Sequence, residues 1–146
     1  MSQFSGTWEE REKDPSMGPL DFFFNLGLGE YKDKYMGARW TATYDVNGDN
    51  WKISWITSLQ DDPIPDYYIT VGKEFYGKGP GGSDVKITLT VVSDCETREH
   101  VVTNVEDGKK REFIITRKVN GDVMDVKIEA KTPRATTMKG KMYRKK

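Results

Sequence analysis

Few side chains in this sequence have the types needed for covalent or metal chemistry. The chain of 146 residues contains one cysteine, Cys95, and one histidine, His100. This inventory excludes an internal disulfide, a cysteine-based zinc site and every motif that needs two imidazoles. Carboxylates are numerous but scattered, as is typical of solvated surface charge, and we expect His100 to be an ordinary strand residue. The sequence therefore predicts no catalytic residues, no metal and no cofactor.

Two stretches have the residue spacing of ligand-binding motifs but lack the secondary structure or the further residues that those motifs require. Gly77–Gly82 has the Gly-x-Gly-x-x-Gly spacing of a dinucleotide loop, which requires a preceding strand and a following helix. A strand-like run, Val85–Thr90, follows here, so we expect a flexible loop. Asp45–Asp49 begins like a calcium loop, but Asn50 stands where glycine is needed and Ile56 where glutamate is needed. That stretch predicts a turn.

Charge and size restrict the classes of function further. Lys plus Arg and Asp plus Glu are both 23, and this balance removes the positive field with which proteins collect nucleic acid. We expect no nucleic-acid partner. The length and an aromatic content of 12% fit one folded domain over residues 1–146. The start shows neither a signal peptide nor a membrane span, so we expect a cytosolic protein, by default a monomer.

The elements that position these residues differ between the start and the rest of the chain. Pro19 can begin a helix because the first turn does not need its missing N–H, and Gly27 and Gly29 favour a left-handed turn at the end of that helix. Tyr31 and Tyr35, four residues apart, indicate a second short helix. The pattern predicts a helix-turn-helix over 19–36.

From residue 39 onward, apolar residues alternate with polar ones, as in strands. Asn47-Gly48, Asp107-Gly108 and Asn120-Gly121 are strong hairpin signals. Runs rich in β-branched and aromatic residues cover 40–46, 51–55, 67–71, 85–92, 98–105, 110–119, 123–130 and 135–144. Short strands joined by tight turns favour an antiparallel sandwich or barrel, so we predict an all-β chain with a short helix pair inserted early.

A series of short motifs spans the whole chain: Phe4-Ser-Gly6-Thr-Trp8, Leu26-Gly-Leu-Gly29, Asn47-Gly-Asp49, Val71-Gly-Lys-Glu-Phe75, Val119-Asn-Gly-Asp122 and Gly140-Lys-Met-Tyr143. Their order and spacing resemble the intracellular lipid-binding proteins, the fatty-acid-binding protein family of the calycin superfamily. The resemblance implies a ten-stranded antiparallel up-and-down β-barrel capped by the helix-turn-helix. It also implies an internal cavity for a long-chain fatty acid or a similar hydrophobic carboxylate.

The resemblance also implies a carboxylate-binding pair, an Arg and a Tyr two residues apart near the C-terminus. Here Lys141 and Tyr143 occupy those places. Residues two apart on a strand face the same side, but lysine cannot make the two-pronged contact of arginine. The family has a second arginine on the strand before the Asn120-Gly121 turn. Counting back gives Thr116, whereas residue identity favours Arg117; we choose Arg117, although one residue of register reverses its face.

Further positions follow from the resemblance. It places the following residues at the cavity or its portal: Phe22, Phe23, Leu26, Leu59 and Phe75. Lys32, Lys34 and Arg39 lie on or just after the second predicted helix, where they could contact anionic lipid during ligand transfer; solvation alone would also explain them. The chain is longer than is usual in the family, and it has an acidic, proline-bearing insertion, Asp61–Asp66, near the portal; these departures either alter ligand entry or decorate a loop.

The main hypothesis from the sequence is a non-enzymatic cytosolic carrier of fatty acid or a similar amphipath. An alternative is an abundant hydrophilic protective or structural barrel without a specific ligand. The charged fraction of 32%, the stretch Asp61–Asp66 and the presence of Lys141 in place of arginine favour that alternative. A small enzyme or a secreted lipid binder is a third reading, supported by neither a catalytic set nor a signal peptide.

Overall fold

The computed structural model of the protein describes residues 3–11, 17–18, 22, 36–58, 64–79, 83–104, 110–132 and 135–145. They include ten strands: β1 (Gly6–Glu9), β2 (Trp40–Asn47), β3 (Asn50–Thr57), β4 (Tyr67–Thr70), β5 (Glu74–Lys78), β6 (Asp84–Ser93), β7 (Glu96–Asn104), β8 (Lys110–Asn120), β9 (Val123–Thr132) and β10 (Thr136–Arg144). All pairings are antiparallel, in the order β4-β3-β2-β1-β10-β9-β8-β7-β6-β5. The strands therefore follow one another as an up-and-down meander. β1 connects its first and last parts, because it pairs with both β2 and β10.

The sheet curls into a nearly closed barrel. Trp8 on β1 pairs with Ala42 on β2 and with Arg144 on β10. The two edge strands, β4 and β5, face each other across a gap, where the Tyr67 hydroxyl donates a hydrogen bond to the Lys78 carbonyl at 2.9 Å. The predicted antiparallel ten-stranded barrel is confirmed. The predicted helical cap over 19–36 lies almost wholly outside the described residues and is not confirmed.

Strand side chains alternate between the interior and the surface, because successive Cβ atoms point to opposite faces of a sheet. On β6, Val85, Ile87 and Leu89 are buried, whereas Thr90 beyond them is exposed. The same alternation on the other strands gives the barrel a mainly apolar interior, which is where a ligand site must lie.

Residues before β1 close one end of the barrel. The Gln3 N–H donates to the Asp94 carbonyl in the β6–β7 turn at 3.1 Å. The Phe4 ring packs against Trp51 and Tyr44 with centroids 5.5 and 6.0 Å apart. The Trp8 indole N–H donates to the Phe4 carbonyl at 2.9 Å. This end, which also carries the β2–β3 and β8–β9 turns, is filled with side chains.

The two described Asn-Gly turns are hairpins, as predicted. Gly48 and Gly121 have φ of 60° and 64°, the left-handed conformation that side chains disfavour. The Asp107-Gly108 turn lies outside the described residues. Gly77, predicted in a loop, belongs to β5 instead, because the ladder with β6 extends through its pairing with Val85.

Candidate ligand-binding cavity

A cavity of about 330 Å³ lies inside the barrel, within the size range of small-molecule sites. Most of its wall is apolar. The lining residues are Glu10, Phe22, Trp40, Trp55, Ile64, Tyr67, Val85, Ile87, Glu99, Val101, Phe113, Ile115, Arg117, Val126, Ile128, Met138, Lys139, Gly140, Lys141 and Met142. They come from eight of the ten strands, from Glu10 directly after β1, and from Phe22 and Ile64 outside the strands.

A buried ion pair interrupts the apolar wall. The Arg117 guanidinium on β8 donates to the Glu99 carboxylate on β7, and the two side chains are only 8% and 6% exposed. Register explains the contact, because Arg117 lies opposite Thr97 and Glu99 opposite Ile115, which makes the pair a diagonal neighbour on the inner face. A buried charge requires such a partner.

The pair sets the electrostatics around it. Burial, the largest effect, by itself would lower the pKa of the Arg117 guanidinium, but the charges of Glu99 and Tyr44 and the hydrogen bond to Glu99 together outweigh it and raise the pKa. Burial raises the pKa of Tyr44 to about 12; Arg117 opposes the rise and Glu99 adds to it. Burial, with a contribution from Glu99, raises the pKa of Tyr67 to about 12 as well. All three groups therefore keep their protons at neutral pH.

Polar atoms in this region have spare hydrogen-bonding capacity. The Arg117 Nε, the Tyr44 hydroxyl and the Trp51 Nε1 are buried, and none has a hydrogen-bond partner among the described residues. The Arg117 guanidinium also lies over the Trp55 ring, 5.4 Å from its centroid. Of Arg117, Tyr44 and Trp51, only Arg117 lines the cavity, so its Nε is the donor available to a polar group on an otherwise apolar ligand.

Arg117 and Thr116, the two candidates for the family's second arginine, face opposite sides of β8, because successive side chains of a strand alternate. Arg117 faces the cavity, whereas Thr116 pairs with exposed Lys127 on the outer face. The choice of Arg117 by residue identity therefore gives the inward residue. Its part in ligand binding stays a prediction.

Lys141 is among the residues along the cavity, but alternation along β10 places its side chain, like that of Tyr143, on the outer face. The Lys141 ammonium is 3.8 Å from the Asp125 carboxylate, with 45% of the side chain exposed, and the Arg11 guanidinium lies 3.9 Å above the Tyr143 ring. Met138 and Met142 are the buried side chains of this strand. The structure brings neither Lys141 nor Tyr143 next to Arg117, and their predicted role in carboxylate binding stays a prediction.

The predicted lining residues divide into described and undescribed positions. Phe22 lines the cavity and stacks on Phe113 with centroids 6.1 Å apart. Phe75 is half-buried and packs on Tyr67 at 5.0 Å, outside the lining set. Phe23, Leu26 and Leu59 lie outside the described residues.

The predicted membrane-contact residues are described only at Arg39. Its guanidinium donates to the carbonyls of Met36 and Ala38 at 3.0 and 2.9 Å, so it is engaged with the backbone. Lys32 and Lys34 lie outside the described residues. In the described part of the chain, no helix is long and apolar enough to cross a membrane.

Sequence reasoning missed three interior residues. Glu99 shares the inward face of β7 with Val101, and period-two alternation along 98–105 would have indicated an acidic residue inside. Ile64, in the stretch Asp61–Asp66, is buried and lines the cavity; no local pattern indicates this. Arg111 is 1% exposed but does not line the cavity.

The barrel has close structural counterparts and no sequence match. No protein-family model and no curated protein matches the chain. A Schistosoma mansoni fatty acid binding protein in complex with arachidonic acid has a TM-score of 0.76 at 20% identity, covering 100% of this chain and 98% of that one. A fatty-acid-binding protein from Manduca sexta has a TM-score of 0.69 at 17% identity, covering 98% and 100%.

Another counterpart carries a different name. The secretory abundant heat soluble protein 4 of Ramazzottius varieornatus has a TM-score of 0.77 at 14% identity, covering 100% of this chain and 97% of that one. At such identities the likeness is one of fold. The chain adopts the lipid-binding barrel fold of the fatty-acid-binding proteins.

Proposed function

We propose that this protein is a non-enzymatic carrier that binds one long-chain fatty acid or a similar single-chain amphipath inside its barrel. The observation that carries the proposal is a mostly apolar cavity of about 330 Å³ inside the barrel with one buried polar cluster, at Arg117 and Glu99. An apolar wall suits an alkyl chain, and a single polar cluster suits a single head group.

The alkyl chain supplies most of the binding free energy. Burial of each CH₂ contributes about 0.8 kcal/mol, so a chain of about 16 carbons offers roughly 12 kcal/mol gross. Micromolar binding requires only about 8 kcal/mol, which leaves a margin for the entropy lost on binding. The polar cluster then sets the orientation and selectivity of the ligand more than its affinity.

The structural counterparts support the same class of ligand. Two of them are named as fatty-acid-binding proteins, and one of these holds arachidonic acid. None of the three counterparts described above is named as an enzyme, which agrees with a carrier role. The cytosolic location rests on the sequence alone and stays a prediction.

The carrier function can be tested by filling the cavity from one strand. Ile115 on β8 lines the cavity, and its neighbour Ile114 points to the outer face. We expect Ile115→Trp to weaken binding of Nile red and its displacement by oleate or oleyl alcohol at least tenfold, since the indole occupies the space of the chain. Ile114→Trp is the matched control and keeps wild-type binding.

Two results would contradict the carrier function. One is that the delipidated wild-type protein binds none of these ligands; the other is that Ile114→Trp loses as much affinity as Ile115→Trp. Thermal unfolding of both variants checks that each is folded. If Ile115→Trp does not fold, Val126→Phe fills the same cavity from β9.

The outer surface favours a second candidate, a protective or structural protein without a specific ligand. Exposed ion pairs run across β7 to β10, such as Lys118–Glu96 at 3.8 Å and Lys127–Glu129 at 3.5 Å, and one structural counterpart is named as heat soluble. Protection of a test enzyme during drying that survives Ile115→Trp but falls on charge-neutralising outer substitutions would favour this role. Such exposed pairs are common on solvated strands, so the cavity outweighs them.

A further inference from the structure

We infer that the cavity prefers a neutral, hydrogen-bonding head group, such as a hydroxyl, ester or amide, over an ionised carboxylate. The inference rests on the proposed carrier function and names the ligand class within it. The observation behind it is that the cavity arginine is already neutralised by a carboxylate of the protein itself, Glu99.

A ligand carboxylate would have to compete with Glu99 for Arg117. The Glu99 side chain is 6% exposed and belongs to the neighbouring strand. If a ligand displaced it from Arg117, its carboxylate would therefore not reach water. Displacement would leave an unpaired carboxylate in the interior, which is strongly unfavourable. Binding beside the intact pair would instead place two carboxylates around one guanidinium.

The other charges on the cavity wall do not restore a positive site. Glu10 adds a second carboxylate, which accepts a hydrogen bond from the Trp40 N–H at 3.0 Å. Lys139 and Lys141 belong to the lining stretch of β10, but both side chains are exposed, and Lys141 lies near Asp125. Arg111 is buried in the barrel but does not line the cavity.

A neutral oxygen meets a more favourable environment. The Arg117 Nε is a buried donor on the cavity wall that lacks a hydrogen-bond partner among the described residues. A hydroxyl or carbonyl oxygen can accept a hydrogen bond from such a donor without bringing a charge into the interior. The ion pair stays intact, and a donor that is costly to leave unpaired gains a partner.

The wild-type protein tests this preference directly. Oleate, methyl oleate and oleyl alcohol share one chain and differ in the head group, so displacement of Nile red at neutral pH compares head groups alone. We expect the ester and the alcohol to bind at least tenfold more tightly than oleate. Oleate binding as tightly as either neutral ligand would overturn the inference.

Glu99→Gln tests the cause, because the amide keeps the shape and removes the charge. We expect its affinity for oleate to rise about tenfold while that for methyl oleate stays within about twofold. Glu112→Gln, altered at an outer carboxylate that pairs with His100, is the matched control and changes neither affinity. Unchanged oleate binding in a folded Glu99→Gln protein would refute the role of Glu99.

The two proposals fail in different ways. If none of the three ligands displaces Nile red, the carrier function fails and the preference falls with it. If all bind but oleate binds best, only the preference fails. If Glu99→Gln does not fold, the comparison of the three ligands on the wild-type protein decides the preference by itself.

Discussion

At the scale of single residues, Tyr44 gives the barrel a dependence on alkaline pH. Burial raises its pKa from 10.0 to about 12 in the folded protein. Between these values the unfolded chain has already lost the phenol proton while the folded chain keeps it, so stability falls as pH rises. We expect the full contribution below about pH 10 and a loss of about 2 kcal/mol by about pH 12.

Urea unfolding of the wild-type protein and of Tyr44→Phe at several pH values between 8 and 12 measures this loss. The phenylalanine variant lacks the ionising group. Its free energy of unfolding should therefore decrease less than that of the wild type, and the difference is the contribution of Tyr44. Tyr68→Phe, altered at an exposed ring on β4, is the control and follows the wild-type profile. If the free energies of unfolding of Tyr44→Phe and of the wild type decreased equally with pH, Tyr44 would not be the cause of the loss.

At the scale of elements, the β8–β9 hairpin depends on Gly121. Its φ of 64° lies in the left-handed region, and a Cβ added there would meet no atom within 4 Å. Any cost of Gly121→Ala therefore comes from backbone conformation alone, about 1 kcal/mol or somewhat more. Chemical denaturation measures it as a lower free energy of unfolding.

Gly140 on β10 is the matched control for Gly121. A Cβ there also meets nothing within 4 Å, but its φ is not in the left-handed region. We expect Gly140→Ala to be neutral or slightly stabilising, since alanine loses less backbone entropy than glycine on folding. Equal destabilisation by the two substitutions would show that the turn conformation is not the cause.

At the scale of the whole molecule, the segment before β1 holds together distant parts of the barrel. Phe4 is 1% exposed and packs on rings from β2 and β3. We expect Phe4→Ala to lower the free energy of unfolding by about 3–5 kcal/mol. Ile56→Ala, on an exposed side chain of β3, should change it by less than about 0.5 kcal/mol. Similar values for both would mean that the N-terminal closure contributes little to stability.

Much of the architecture follows from local rules in the sequence. Alternation of apolar residues predicts strands such as 85–92 and 110–119, and the Asn-Gly pairs at 47–48 and 120–121 predict hairpin turns. Both signals are local, because the alternation and the turn preference depend on neighbouring residues. The rejection of a nucleotide loop at Gly77–Gly82 also followed from local context. Only the resemblance, and not these rules, predicted a barrel of ten strands.

The candidate site was predictable only in part. Arg117 was selected by residue type and does face the cavity, whereas Lys141 was selected by a motif and its side chain is exposed near Asp125. The two selections differ because one residue of register exchanges the two faces of a strand, and motif spacing near a strand end does not fix that register. Glu99, unnoticed in the sequence, became important only as the partner of Arg117.

By itself, the sequence determined the strands and the hairpin turns at 47–48 and 120–121, because these depend on residue type and short-range spacing. Only the tertiary structure decided which charges enter the interior and which of them meet. Glu99 and Arg117 lie 18 residues apart in the chain and touch because the β7–β8 ladder aligns them on its inner face. Their mutual neutralisation depends on burial and on that alignment, and both are properties of the closed barrel.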